Sequence, residues 1–245
     1  MTRRQVRGTL ALPVVAAVGV LLWWGFSGLP PFGHFHGFYG HLLNHIALPQ
    51  RHTTNVVAAI VFDYRGFDTM GEEFILFASV VGVVLLLRDM REPSTGQDDP
   101  VTSDAIRLFG ILMVGVVLVV GLWLAAFGLV TPGGGFQGGV AIAGAIVTVF
   151  LATGYRAWRA FGRERLLDPF EGLGAASYVA IGLAALIAGA PFLHTMLGLG
   201  VAGSLRSGGT MTLLNWAVAV EVAAANLVLY TEFLESYLVP HLDGR

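Results

Sequence analysis

Residues 211–230 read MTLLNWAVAVEVAAANLVLY, an apolar run broken by a single acidic side chain, Glu221. A membrane-spanning helix needs about 20 such residues, and this stretch supplies them. Working outward, five more long apolar runs appear: Leu10–Phe26, Phe74–Leu87 extended backwards by Thr69–Glu73, Ala105–Val130, Gln137–Tyr155 and Leu173–Leu193. Backbone groups in lipid must be satisfied within the segment, so these runs are helices. Charged residues make up only 12% of the chain, whereas a soluble domain carries about a quarter. The expected fold is therefore all-α, a polytopic membrane protein with about six transmembrane helices. The basic start, Arg3, Arg4 and Arg7, followed by Leu10–Phe26 has the outline of a signal peptide. Trp23, Trp24 and Phe26 stand where a cleavage site needs small residues, which favours a retained helix.

Orientation follows from arginine, because the chain has no lysine. Threading six spans from a cytoplasmic N-terminus puts Arg3, Arg4, Arg7, Arg88, Arg91, Arg107, Arg156, Arg159, Arg163, Arg165 and Arg245 inside. Only Arg51, Arg65 and Arg206 fall outside. The positive-inside rule then predicts that both termini are cytoplasmic. Aromatic residues fit the same layout. Trp23, Trp24 and Trp216 come near the outer interface, and Tyr155, Trp158, Tyr230 and Tyr237 near the inner one.

A polar, proline-bounded stretch, Glu92-Pro93-Ser94-Thr95-Gly96-Gln97-Asp98-Asp99-Pro100, forms a seam. It divides the chain into a two-helix unit (1–90), a cytoplasmic linker (91–103) and a four-helix unit (104–245). No inverted repeat of the kind found in self-contained transporters is visible. The outer segment from about Ser27 to Asp68 is too polar to span, and its apolar tail Asn55–Phe62 is too short. An interfacial helix is expected there. The absence of cysteine excludes disulfides and thiolate chemistry. The net charge of −2 suggests no nucleic-acid partner. No phosphate loop, nucleophile triad or dinucleotide fingerprint appears, so no cofactor is implied and the chain does not read as an enzyme.

Two motifs carry a resemblance. The first is Asn55-Val56-Val57 leading into Asp63-Tyr64-Arg65-Gly66-Phe67-Asp68-Thr69, followed by Glu72. It resembles the C-terminal part of the A-type subunit of Mrp-type sodium/proton antiporters, a segment also found as a small separate subunit of membrane-bound hydrogenases. Tyr64 replaces the usual Phe. The second is Thr131-Pro132-Gly133-Gly134-Gly135-Phe136-Gln137-Gly138-Gly139 between two membrane helices. It resembles the glycine motif of the B-type (MnhB-like) subunit of the same antiporters. The chain thus looks like a fusion of the A-type tail with a B-type unit. The resemblance implies an accessory subunit in a prokaryotic cell (inner) membrane, in contact with other antiporter subunits and the lipid bilayer. Exchange of Na+ and H+ would belong to the whole complex. The pumping subunits of such complexes carry intramembrane lysine, which this chain lacks. The equivalent subunit of a membrane-bound hydrogenase or complex I-like respiratory complex is the alternative.

Individual residues support either bland or functional readings. Glu221 lies about 15 Å into its helix at 1.5 Å per residue. A lone carboxylate there costs several kcal/mol unless it is paired, hydrated or protonated. It is either an ion-handling group or a structural carboxyl bonded to another subunit. Glu73 and Asn226 are further ion-path candidates, although Asn226, at i+5, is not on the same face. Thr69-Met70-Gly71-Glu72 fits a capping box, and Asp63, Arg65 and Asp68 fit an ion-pair network fixing a turn. Asp168 and Glu171 are expected to cap the fifth helix, and Glu232 and Glu235 to face water or a partner. In the glycine motif, Pro132, Gly133, Gly134, Gly135, Phe136, Gly138 and Gly139 form a tight turn and a small-residue face suited to close packing, either within the chain or against a neighbouring subunit. His34, His36, His41, His45 and His52 cluster in the outer segment. The i, i+4 pair His41/His45 has zinc-like spacing, which leaves a stand-alone membrane metalloprotein as a third reading, but no acidic residue or cysteine lies among them.

Overall fold

The computed structural model describes residues 3–33, 37–88, 103–154, 158 and 164–238, and every regular element among them is helical. The sequence linker, His34, His36, residues 155–157 and 159–163 with their arginines, and the side chain of Tyr237 lie outside the described residues. Five helices are long and apolar enough to cross a membrane: Gly66–Arg88, Asp104–Ala126, Gly135–Thr153, Leu167–Ile187 and Met211–Glu235. A shorter apolar helix, Ala11–Ser27, forms most of α1 (Arg3–Ser27), the sixth expected span. The chain is a multi-pass membrane protein. Residues Met1–Leu42 and Leu43–Arg245 form two compact units, and the second holds all five long spans.

α2 (Phe38–Arg51) ends at His52, which takes a left-handed φ of +52°. The ring Nδ1 of His52 lies 2.7 Å from the carbonyl oxygen of Gly200. Asn55 then caps α3 (Val56–Ala59), its side-chain oxygen accepting the Ala58 N–H. α3 runs on into a π-helical turn, Ile60–Tyr64, before α4 (Gly66–Arg88) begins. The expected interfacial helix is replaced here by a buried wedge. Ala58, Ala59 and Phe62 are buried, and Ala58 and Phe62 pack with Leu129, Tyr178, Met211, Leu214 and Val218. Much of the apolarity of this segment faces the protein core, although Val57 is exposed.

α5 (Asp104–Ala126) starts at an N-cap, Ser103, whose hydroxyl accepts the Ile106 N–H. α5 pairs with α6 (Gly135–Thr153) as a hairpin. Small residues set the spacing: Gly110 faces Ala152, Gly121 faces Ile142, and Gly138 faces Ala125. α7 (Glu164–Ile187) and α8 (Met211–Leu238) form a second hairpin. α8 is the hub, with 61% of its spanning window buried against 11% for α4 and 17% for α5. It packs on α4, α6 and α7. Trp158 is not at a lipid interface, as its sequence position suggests. It is fully buried with Val80, Ala225 and Val228.

Across the sequence seam, the segment before α4 reaches into the four-helix part through a polar latch. The carbonyls of the turn that follows α5, residues 128–131, are met by Thr53, Thr54 and Asn55. Thr53 donates to Leu129 O, Thr54 to Val130 O at 2.5 Å, and Asn55 Nδ2 to Gly128 O and Thr131 O at 2.6 and 3.1 Å. The backbone N–H of Asn55 adds a bond to Leu129 O at 3.3 Å.

Candidate functional site

Three helices, α4, α7 and α8, bring acidic side chains into the bundle. Glu221 on α8 is 0% exposed, Glu73 on α4 is 2% and Glu171 on α7 is 4%. The faces explain the placement. Met70 and Leu76 of α4 pack on the cluster that holds Val218 and Val222 of α8. Glu73 lies between the former two in sequence and Glu221 between the latter, so the helical repeat points both carboxyls into the contact. They lie within interaction range of each other. Among the described residues, neither oxygen of Glu73 nor either oxygen of Glu221 has a hydrogen-bond partner, and Oε1 of Glu171 also has none.

Gly174 makes this arrangement possible. A Cβ at that position would lie 2.5 Å from the Cβ of Glu221 and 2.7 Å from its backbone. α7 therefore comes closest to α8 beside the glutamate, and Glu171, one turn earlier on α7, is the next carboxyl along. Sequence reasoning missed Gly174. It also missed Tyr178, one turn further on, whose buried hydroxyl donates to Gly66 O at 2.9 Å and fixes the start of α4.

At the other end of the same three helices the charges are compensated. Arg88, the last residue of α4, donates from both terminal nitrogens to Asp168 at 2.8 and 2.9 Å. Its Nε donates to Glu232 at 2.7 Å. One guanidinium fork thus joins α4, α7 and α8, and such planar two-point contacts suit arginine rather than lysine. This corrects two expectations. Asp168 does not cap its helix, because α7 begins at Glu164 and Asp168 sits a turn inside it. Glu232 does not face water: it is 0% exposed, held by a cation 144 residues away.

The other candidates are placed as follows. Thr69 is not a cap, since α4 begins three residues earlier at Gly66. Its hydroxyl donates instead to Val61 O at 2.6 Å, a carbonyl of the widened π turn. Glu72 is exposed beside the buried Glu73. Arg65 pairs with Asp68, but Asp63 pairs with Arg51, so the expected three-residue network is two separate pairs. Asn226 bonds its own helix, Nδ2 to Val222 O at 2.8 Å, and is not gathered with the glutamates. Gly133 and Gly134 turn with φ of +152° and +147°, a region open to glycine. Gly135 and Gly139 press on Asn215, Val218 and Val222 of α8, and Gly138 on Ala125 of α5. The small-residue face that suggested subunit packing is filled by the chain's own helices. Pro132 is exposed, Phe136 half-buried. Asn215, not anticipated, donates from Nδ2 to Ala125 O at 2.8 Å, which ties α8 to the end of α5. His41 and His45 lie on α2, and among the described residues no three His, Asp or Glu gather as a metal site.

Comparison with known proteins gives this frame an identity. A family described as "Domain related to MnhB subunit of Na+/H+ antiporter" matches residues 105–228, just over half of the chain. The chain belongs to the MnhB-related family. A second family, MbhE, the E-type subunit of MBH, matches residues 34–103 of this MnhB-related chain. The two matches meet at the end of the expected linker. An uncharacterized protein of Methanocaldococcus jannaschii is 26% identical over 204 residues, covering 74% of this chain and 78% of that one. Among solved structures, one chain of an archaeal respiratory complex, the membrane-bound sulfane sulfur reductase, aligns over 96% of this chain and 99% of its own length. It has a TM-score of 0.70 and 26% identity. A chain of the Mrp complex from Dietzia sp. has a TM-score of 0.68 at 20% identity. That match covers 95% of this chain but only 26% of the Dietzia chain, and it shows a shared fold.

Proposed function

We propose that this protein is an accessory membrane subunit of a multisubunit Na+/H+ antiporter of the Mrp type. In this reading it contributes to assembly and to the ion path, sits in a prokaryotic cell membrane with both termini cytoplasmic, and leaves pumping to larger subunits. The observation that carries the reading is the set of three buried carboxyls, Glu73, Glu221 and Glu171, on the faces where α4, α7 and α8 meet. A protein built only as a scaffold gains nothing from acids at such depth, where an ionisable group is costly. The arginine clamp keeps the three helices in register around them. The MnhB-related family match supports the kind of assembly.

A second reading has its own support. The one-to-one match in length with a chain of the sulfane sulfur reductase favours the equivalent subunit of a respiratory complex with an Mrp-like module. Purification in mild detergent separates the two by the partners recovered. Redox subunits in the complex would select the respiratory reading.

The test of ion-path involvement is Glu221→Gln in the whole complex, in everted membrane vesicles. Glutamine keeps the shape and loses the titration. Normal assembly with sodium-dependent proton exchange reduced about tenfold or more is the expected result, the scale set by removing a positioned proton-transfer group. Unchanged exchange across the pH range would remove this chain from the ion path.

A further inference from the structure

The glutamates were separate candidates in the sequence; their meeting across two sequence units is what the structure adds. Glu73 comes from the part of the chain matched by the MbhE family. Glu221 comes from the MnhB-related part. Each residue is at most 2% exposed, each points at the other, and no N–H or O–H among the described residues reaches their four oxygens. Nearby hydroxyls are already used, Thr69 on Val61 O and Tyr178 on Gly66 O.

Two carboxylates in this position cannot both be ionised, since like charges at short range in an apolar site repel too strongly. The site must hold a cation. A hard metal cation stripped of its water takes about six oxygen ligands, more than the four oxygens that Glu73 and Glu221 provide. A proton needs two. We infer that Glu73 and Glu221 share one exchangeable proton, in a site assembled half from α4 and half from α8. The inference rests on the ion-path reading above and specifies which ion this subunit handles.

The surroundings set what else bears on the pair. α7 contributes Glu171 and Tyr178, and α4 contributes Glu72, which is exposed. α6 has no ionisable residue. In the π turn, Asp63 is engaged by Arg51. Glu171, buried with a free oxygen, is the next acceptor. Transfer moves only a proton, from a carboxyl O–H to a carboxylate oxygen, and the bonding pair stays on the donor oxygen. The row stops at Arg88, whose guanidinium binds Asp168 and Glu232.

Infrared difference spectroscopy tests this on the intact complex reconstituted in lipid, comparing acid with alkaline buffer. The wild type should show a C=O band of a protonated carboxyl that shifts in D2O and disappears as pH rises. Glu73→Gln and Glu221→Gln should each displace that same band and change the pH at which it disappears, and only the double variant should abolish it. Glu73→Asp and Glu221→Asp, which keep a carboxyl, should retain a shifted band, which distinguishes loss of the proton from loss of the fold. Replacing choline with sodium should leave the band in place. A band that either glutamine variant leaves unchanged in frequency and pH dependence, or that sodium displaces, overturns the shared proton. Those results would leave membership of the complex untouched, because membership is read separately from the partners that co-purify in the same preparations.

Discussion

The two acidic clusters of this bundle lie on the same three helices and solve opposite problems. At the Arg88 end, two carboxylates meet one guanidinium and every contact has a donor. At the Glu73–Glu221 end, two carboxyls meet each other and find no other donor among the described residues. The positions are about 16 Å apart along α8, about eleven residues at 1.5 Å each. A compensated cluster binds helices together. An uncompensated one costs stability, and its persistence points to work other than folding. A carboxyl count alone would not separate these roles; the position of Arg88 does.

The comparison breaks most readily at the clamp. Arg88→Ala leaves Glu232 buried without its cation, a loss expected to cost about 3 kcal/mol. The detergent-solubilised complex should melt well below the wild type, and adding Glu232→Gln to Arg88→Ala should recover part of the loss. If the single variant is as stable as the wild type, the clamp does not hold the helices. An intermediate effect is expected at Gly174. Alanine there places a Cβ against the Glu221 backbone, and overpacking of this kind costs about 1–3 kcal/mol. Lowered thermal stability and reduced recovery of the complex would register it. The smallest stability effect, with the opposite sign, belongs to Glu73→Leu combined with Glu221→Leu. Replacing buried, unpaired polar groups by apolar ones of similar size is neutral or stabilising. The double variant should melt at or above the wild type and lose ion exchange. A large destabilisation would show that the pair serves the fold after all.

Much of the fold was legible because lipid imposes one rule on backbone polar groups. Six apolar runs mean six helices, and the structure has five clear spans plus the shorter Ala11–Ser27. Partnership was not legible. Glu73 and Glu221 each stand out as acids in apolar runs, yet 148 residues separate them and periodicity says nothing about which helices touch. Asp168 looked like a helix cap and Glu232 like a group facing water or a partner, because their cation lies on another helix. The glycine face was legible as a packing seam, but its occupants, Val218 and Val222, were not. The reading of Thr69 as a cap failed for a local reason. The π turn at Ile60–Tyr64 lets α4 begin at Gly66, and Thr69 is already inside the helix.

The latch at Thr53, Thr54 and Asn55 has a bearing on how such a chain is put together. Its bonds run from the side chains and one backbone N–H of one sequence half to the turn carbonyls of the other, and Arg88 does the same with carboxylates. These contacts do not depend on the peptide chain between residues 88 and 103, and would serve two separate polypeptides equally well. Joining them covalently turns a second-order encounter into an intramolecular one at high effective concentration. Fusion thereby secures one copy of each half per complex, a guarantee of stoichiometry that separately translated subunits would have to obtain from matched expression.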